Sequence, residues 1–286
     1  VTDRRGFTLV ELITAMVLFA VVSVALYELL VNSQRVYREQ TERLSADMSA
    51  RDAIAVLPGE VRELSATDGD IVALSTTALT YKAMQGLYVQ CDTPSAGPAI
   101  LLERSSFFGL RPLDATQDSL LLFAEGDPAT RADDAWIHAD AVGVSPATCP
   151  GGGAGMRVTV GGVAPGALAR VRAPGAPVRS FRVAQVMLYQ DGAGDAWLGG
   201  RQFQKAAGTW ATTQPIVGPL SPSGLALTYF DSAGAPTTAV RRVARIGIAV
   251  VGRSPGRVRG AGGAASTYLL QDLMTQVTLR NNAVYE

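Results

Sequence analysis

An apolar run of 25 residues, from Phe7 to Val31, constrains this chain more than anything that follows it. At about 1.5 Å of rise per residue, a helix of that length exceeds the ~30 Å hydrocarbon thickness of a bilayer. No second stretch of the sequence does so. A short basic stub, Arg4-Arg5-Gly6, stands before it, and a carboxylate, Glu11, sits near its start. An acid in lipid costs roughly 2.5–3.5 kcal/mol at the membrane centre and less near an end. A chain that keeps such a residue is expected to supply a partner for the charge. Arg4 and Arg5 favour a cytoplasmic N-terminus.

The order Gly6-Phe7-Thr8-Leu9-Val10-Glu11-Leu12 resembles the N-terminus of type IV prepilins and pseudopilins. That family has a basic leader ending in Gly, then Phe-Thr-Leu-hydrophobic-Glu-Leu, then a long apolar run. The resemblance implies that a prepilin peptidase cuts between Gly6 and Phe7 and that the new Phe7 amine is methylated. Glu11 then takes the place at which the family keeps its glutamate. Polar pairs orient helices in lipid, where no hydrophobic force acts between them. An α-amine on one subunit can neutralise Glu11 on the next. Such a pair staggers subunits along an axis, and a stagger that does not close builds a helical filament.

Two other readings of the same stretch stand beside this one. One is a plain membrane anchor. The other is an ordinary secretory signal, in which Ser23-Val24-Ala25 serves as a small-x-small cleavage site and frees an exported binding protein or adhesin.

The helix is expected to continue past the membrane. Tyr37, Leu44, Met48 and Ala55 fall near one face and are assigned to packing against a head domain. Pro58-Gly59 is the expected break, with a short second helix over 60–64. The expected division is a leader over 1–6, a helix over 7–57 with 7–31 crossing the membrane, and a β-rich head over 58–286.

From Ile71 the pattern changes to short strands and Gly/Pro turns. Strands are expected over 79–83, 87–90, 119–124, 156–160, 180–189, 225–230, 242–251 and 270–280. In the last, Leu273, Thr275, Val277 and Leu279 share one face. Asp191-Gly192-Ala193-Gly194 and Asp231-Ser232-Ala233-Gly234 read as turns, and 252–266, rich in Gly and Arg, as a long mobile hairpin loop. The fold class is therefore α+β, a long N-terminal helix packed on a mainly antiparallel sheet. The segments 225–234, 241–248 and 277–281 are similar to PilW-like minor pilins and J-type pseudopilins of type II secretion. This implies a place at a filament tip. The implied partners are other minor and major pilins or pseudopilins, the prepilin peptidase and the inner-membrane assembly platform. It also implies one membrane pass with a periplasmic head.

The chain carries 25 basic and 25 acidic residues, so nothing draws it as a whole toward nucleic acid, and no nucleic-acid partner is expected. Arg241, Arg242, Arg245, Arg253, Arg257 and Arg259 cluster in sequence but lack interleaved aromatic platforms, and read as solvated strand ends and loop. No metal site, cofactor or catalytic residue is expected. His138 is the only histidine, with Asp133, Asp134 and Asp140 near it, and the usual His pair or Cys set is missing. Gly151-Gly152-Gly153-Ala154-Gly155 lacks the Gly-Lys-Ser/Thr ending of a phosphate loop. The acidic turns at Glu125 to Asp127 and Asp191 to Asp195 have oxygen ligands but no calcium-loop spacing. Cys91 and Cys149, 58 apart, are the only cysteines. In an oxidising compartment they are expected to pair.

Overall fold

A computed structural model describes residues 8–92, 97–127, 129–130, 133–164, 166–171, 174–259 and 265–280. Helix α1 runs unbroken from Leu9 to Val61, 53 residues, about 80 Å at ~1.5 Å per residue. Thr8 caps it, and the expected break at Pro58 does not occur. Pro58 removes one ladder N–H, but the ladder resumes past it, with Arg62 N reaching Pro58 O at 3.0 Å. Of the residues expected to form a second short helix, Glu60 and Val61 finish the first one and Arg62 to Leu64 lie beyond it.

The strands are β1 (Ile71–Leu74), β2 (Ala78–Asp92), β3 (Ala99–Glu103), β4 (Phe108–Gly109), β5 (Ser119–Ala124), β6 (Ala135–Thr148) and β7 (Ala154–Gly161). They continue with β8 (Pro177–Gln190), β9 (Ala196–Gln204), β10 (Thr209–Trp210), β11 (Gln214–Phe230), β12 (Arg245–Arg259) and β13 (Ser266–Thr278). All described pairings between them are antiparallel.

Two units share strands β2 and β8. One is an open sheet, β1-β2-β8-β9-β11-β12-β13. The other is a closed ring in which β2 pairs β3, then β7, β6, β5 and β8 follow, and β8 returns to β2. Each has its own core. Helix α1 packs on β11, β12 and β13, and Ala50, Ala53, Leu57 and Val61 join Leu225, Ile246, Ile248 and Val250 in the first core. The ring encloses the second, with Tyr88, Ile100, Leu102, Leu120, Leu122, Met156 and Val158.

The face that α1 turns to the sheet is the opposite of the expected one. Tyr37, Leu44 and Met48 are 71%, 62% and 55% exposed, and Ala55 is exposed too. The buried positions are Ala46, Ser49, Ala50, Ala53, Leu57 and Val61. Small side chains are needed because helix and sheet approach closely. A Cβ on Gly252 of β12 would stand 2.1 Å from Ala46 O, and one on Gly256 would stand 2.5 Å from Glu42 Oε1. The loop expected over 252–266 is for the most part strand. β12 and β13 stay paired from Arg245↔Thr278 to Arg259↔Ser266, with one irregularity between Arg253 and Arg257. Residues 260–264 lie outside the described ones.

Asp118, fully buried at the base of the ring, organises its surroundings. Arg111 pairs with it, Arg182 Nε donates to it at 3.0 Å, and Asp114 N donates at 2.8 Å. Lys205, one of two lysines, donates to the carbonyls of Ala141 (2.6 Å) and Asp118 (2.5 Å), and so ties β9 to the ring.

Candidate functional site: the helix N-terminus and its exposed shaft

The first turn of α1 holds its own acid. Thr8 Oγ1 accepts from Glu11 N at 3.3 Å, while Glu11 Oε2 accepts from Thr8 N at 2.9 Å and from the Thr8 hydroxyl at 3.0 Å. This reciprocal capping box satisfies two of the backbone donors that a helix start leaves open. A carboxylate there also complements the positive end of the helix dipole. The partner expected for Glu11 is thus supplied in part from within the chain, three residues earlier. Thr14 hides its hydroxyl in the same way, on Val10 O (2.9 Å) and Glu11 O (3.0 Å). Gly6 and Phe7, the expected processing residues, lie outside the described residues.

Beyond this turn the helix is an uncovered apolar shaft. Its most apolar 18-residue window has a mean hydropathy of 2.5 and none of it is buried against the head. Leu12, Phe19, Leu26 and Leu30 are 55%, 74%, 57% and 58% exposed. At 3.6 residues per turn they fall on the same side as Tyr37, Leu44, Met48 and Ala55. One apolar stripe therefore runs from the capping box out to the head, on the face turned away from it.

The other candidate residues fold into structural roles. His138 is on β6, opposite Leu121 of β5, with its ring 5.6 Å from Phe181. It belongs to a strand and not to a metal set. Desolvation against this neighbourhood lowers its pKa, opposed by Asp140 and assisted by Lys82 and Lys205. Among the described residues, no three His, Cys, Asp or Glu side chains gather as a metal set.

Asp191 spends its oxygens on the turn it starts, accepting from Ala193 N, Asp195 N and Trp197 Nε1, and those bonds lower its pKa. Asp231 accepts from Ala233 N at 3.0 Å and from Ala235 N at 2.9 Å in its own turn. The arginine strip does not act as a unit. Arg245 lies over Phe230, and Arg253, expected in solvent, is 7% exposed and paired with Asp195. Cys91 and Cys149 are joined by a disulfide, Cα–Cα 5.8 Å, that ties the end of β2 to the residue after β6. A groove of about 420 Å³, with no mark in the sequence pattern, lies beside α1 and is lined by Val56, Tyr81, Ala184, Arg201 and Ile216 among others. Its Tyr81 hydroxyl donates to Glu60 at 2.6 Å, and burial, with Glu60 adding to it, pushes the tyrosine's pKa up.

A capped, acid-bearing apolar helix that a β-rich head leaves bare along half its length fits a membrane anchor. Residues 2–27 match the family described as the prokaryotic N-terminal methylation motif, so the chain carries the type IV prepilin-like signal. That motif goes with structural subunits, with pilin-type partners and with processing by prepilin peptidase. No curated protein and no solved structure matches the chain.

Proposed function

We propose that this protein is a minor pilin or pseudopilin, without enzymatic activity, that helps to initiate or cap a type IV pilus-like filament. The observation that carries the reading is the methylation motif at the head of a shaft that the protein's own head leaves uncovered. Peptidase cleavage after Gly6 exposes the Phe7 amine for methylation. The anchored chain waits in the inner membrane, single-pass, with its head in the periplasm, until the assembly platform extracts it. In the filament, Glu11 exchanges part of its capping box for the Phe7 amine of a neighbouring subunit. The stripe over Tyr37, Leu44 and Met48 then meets the neighbour's helix. A head of this size suits a subunit present in few copies, among other minor and major pilins. A type II secretion pseudopilus would use the same geometry.

Glu11→Ala is expected to leave cleavage and methylation intact and to reduce incorporation. An interhelical polar contact in lipid is worth about 1–2 kcal/mol, which corresponds to about 5- to 30-fold. Mass spectrometry of the mature N-terminus and quantitation in sheared filaments read the two steps separately. Normal incorporation would sink the charge-pair mechanism. A mature chain that begins at Leu26 would instead establish an ordinary signal peptide. Leu44→Arg with Met48→Arg tests the stripe. Head stability should change by less than about 0.5 kcal/mol, as for surface positions, while assembly is lost. A large fall in melting temperature would mean that the stripe serves the head after all.

A further inference from the structure

The hairpin of β12 and β13 descends beside α1 toward the apolar run. At one end Arg280 N donates to Arg62 O, midway Gly252 lies against Ala46 and Ala50, and further on Gly256 N donates to Glu42 at 2.7 Å. Glu42 stands about 16 Å beyond Val31 along the helix, at ~1.5 Å per residue. Between Gly252, against Ala46 and Ala50, and Gly256, at Glu42, four strand residues pass about six helical ones, ~9 Å along the axis. The strand is thus inclined to α1, and its three further residues to Arg259 cover about 7 Å of the ~16 Å. Arg259 therefore lies about 9–10 Å past the end of the apolar run. The headgroup layer on each side of a bilayer is about 5–7 Å thick, from about 40–45 Å overall and ~30 Å of hydrocarbon. The backbone at Arg259 thus stops a few ångströms short of that layer, and its long side chain reaches the headgroups.

The side chains at that level are basic. Arg257 and Arg259 on the hairpin and Arg35 and Arg38 on α1 are all exposed. Arg35 precedes Glu42 by two helical turns and so lies on the hairpin's side of α1. The acids nearby are partly engaged. Glu42 accepts from Gly256 N, Glu39 pairs with Arg43 at 3.0 Å, and Glu28 faces them from within the apolar run. Tyr268 is held between Arg253 and Arg257, 4.4 and 4.9 Å from its ring. An aromatic ring with a polar tip suits an interfacial depth, and guanidinium forks suit phosphate oxygens.

We propose that Arg35, Arg38, Arg257 and Arg259 form a cationic collar that binds anionic phospholipid headgroups where α1 leaves the membrane. The proposal rests on the membrane-anchor part of the function proposed above, and on no filament contact. The collar fixes the head against the bilayer surface before assembly, and extraction of the helix must break it.

The test uses the full chain in nanodiscs of neutral phosphatidylcholine, or of the same lipid with one-third phosphatidylglycerol. Amide hydrogen exchange is followed over 253–259 and 266–270. Exchange should slow about fivefold in the anionic discs, the order expected for a basic residue at such a surface, and salt should reverse it. Arg259→Gln with Arg38→Gln, at two exposed positions, should abolish the difference and leave the near-UV spectrum unchanged. Equal exchange in both lipids would overturn the collar. So would the same protection from inorganic phosphate in neutral discs, which would mark a site for soluble anions. Failure of the chain to co-elute with nanodiscs would overturn the anchor and the collar together.

Discussion

Gly252→Ala is expected to unseat α1 from the sheet. The added Cβ would stand 2.1 Å from Ala46 O, 2.9 Å from Ala50 N and 3.1 Å from Ala50 Cβ. Two of these neighbours are helix backbone, which cannot swing aside as the end of a long side chain can. Overpacking that a core absorbs by shifting costs about 1–3 kcal/mol. Here the whole helix must move, so a loss of about 3 kcal/mol or more is expected, roughly 6–12 °C in melting temperature for a domain of this size. Gly192→Ala is the control, since nothing lies within 4 Å of a Cβ there. Thermal melting of the detergent-solubilised chain makes the comparison. If both variants melt together, α1 does not rest on β12 in the way described.

Cys91→Ser with Cys149→Ser is expected to act at the other end of the head. The bond closes a loop of sequence separation 58. In the chain-entropy account a loop of that length is worth about 4 kcal/mol. The ring it staples has a core of its own, so the loss should fall first on amides of β3, β6 and β7 and later on those of β12. Hydrogen exchange resolved by segment, with and without reductant, reads this order. A uniform loss across the head would show that the two cores unfold as one.

Much of the molecule was legible because its pattern was either very long or very regular. The apolar run, the alternation ending at Val277 and Leu279, and the Asp-started turns all appear in place, with Val277 and Leu279 7% and 4% exposed. The errors have a common physical source. Large apolar residues draw a reading toward burial, so Tyr37, Leu44 and Met48 looked like the head-facing stripe. The sheet instead takes Ala46, Ala50 and Ala53, because only small side chains let a helix lie on Gly252. For the same reason a Gly- and Arg-rich stretch read as loop when it is the continuation of β12. The ring was least visible. Along β6 its inward residues include Ala139 and Ala141, too small to mark a period of two, and the outward ones include His138 and Asp140. The Thr8–Glu11 box was within reach, since a Thr three residues before a Glu at a helix start is a recognised capping signal.

The closed ring is, in chain order, an excursion between two strands that already pair with each other. β2 and β8 are joined along 78–89 and 177–187, and everything from β3 to β7 lies between them. If that excursion were replaced by a tight turn, β2 and β8 would remain a hairpin, and the seat of α1 on β11, β12 and β13 would lose none of its residues. The architecture is therefore modular. One unit carries the shaft, and the other, set at the end of one hairpin, can change in sequence or size without altering the seat of the helix.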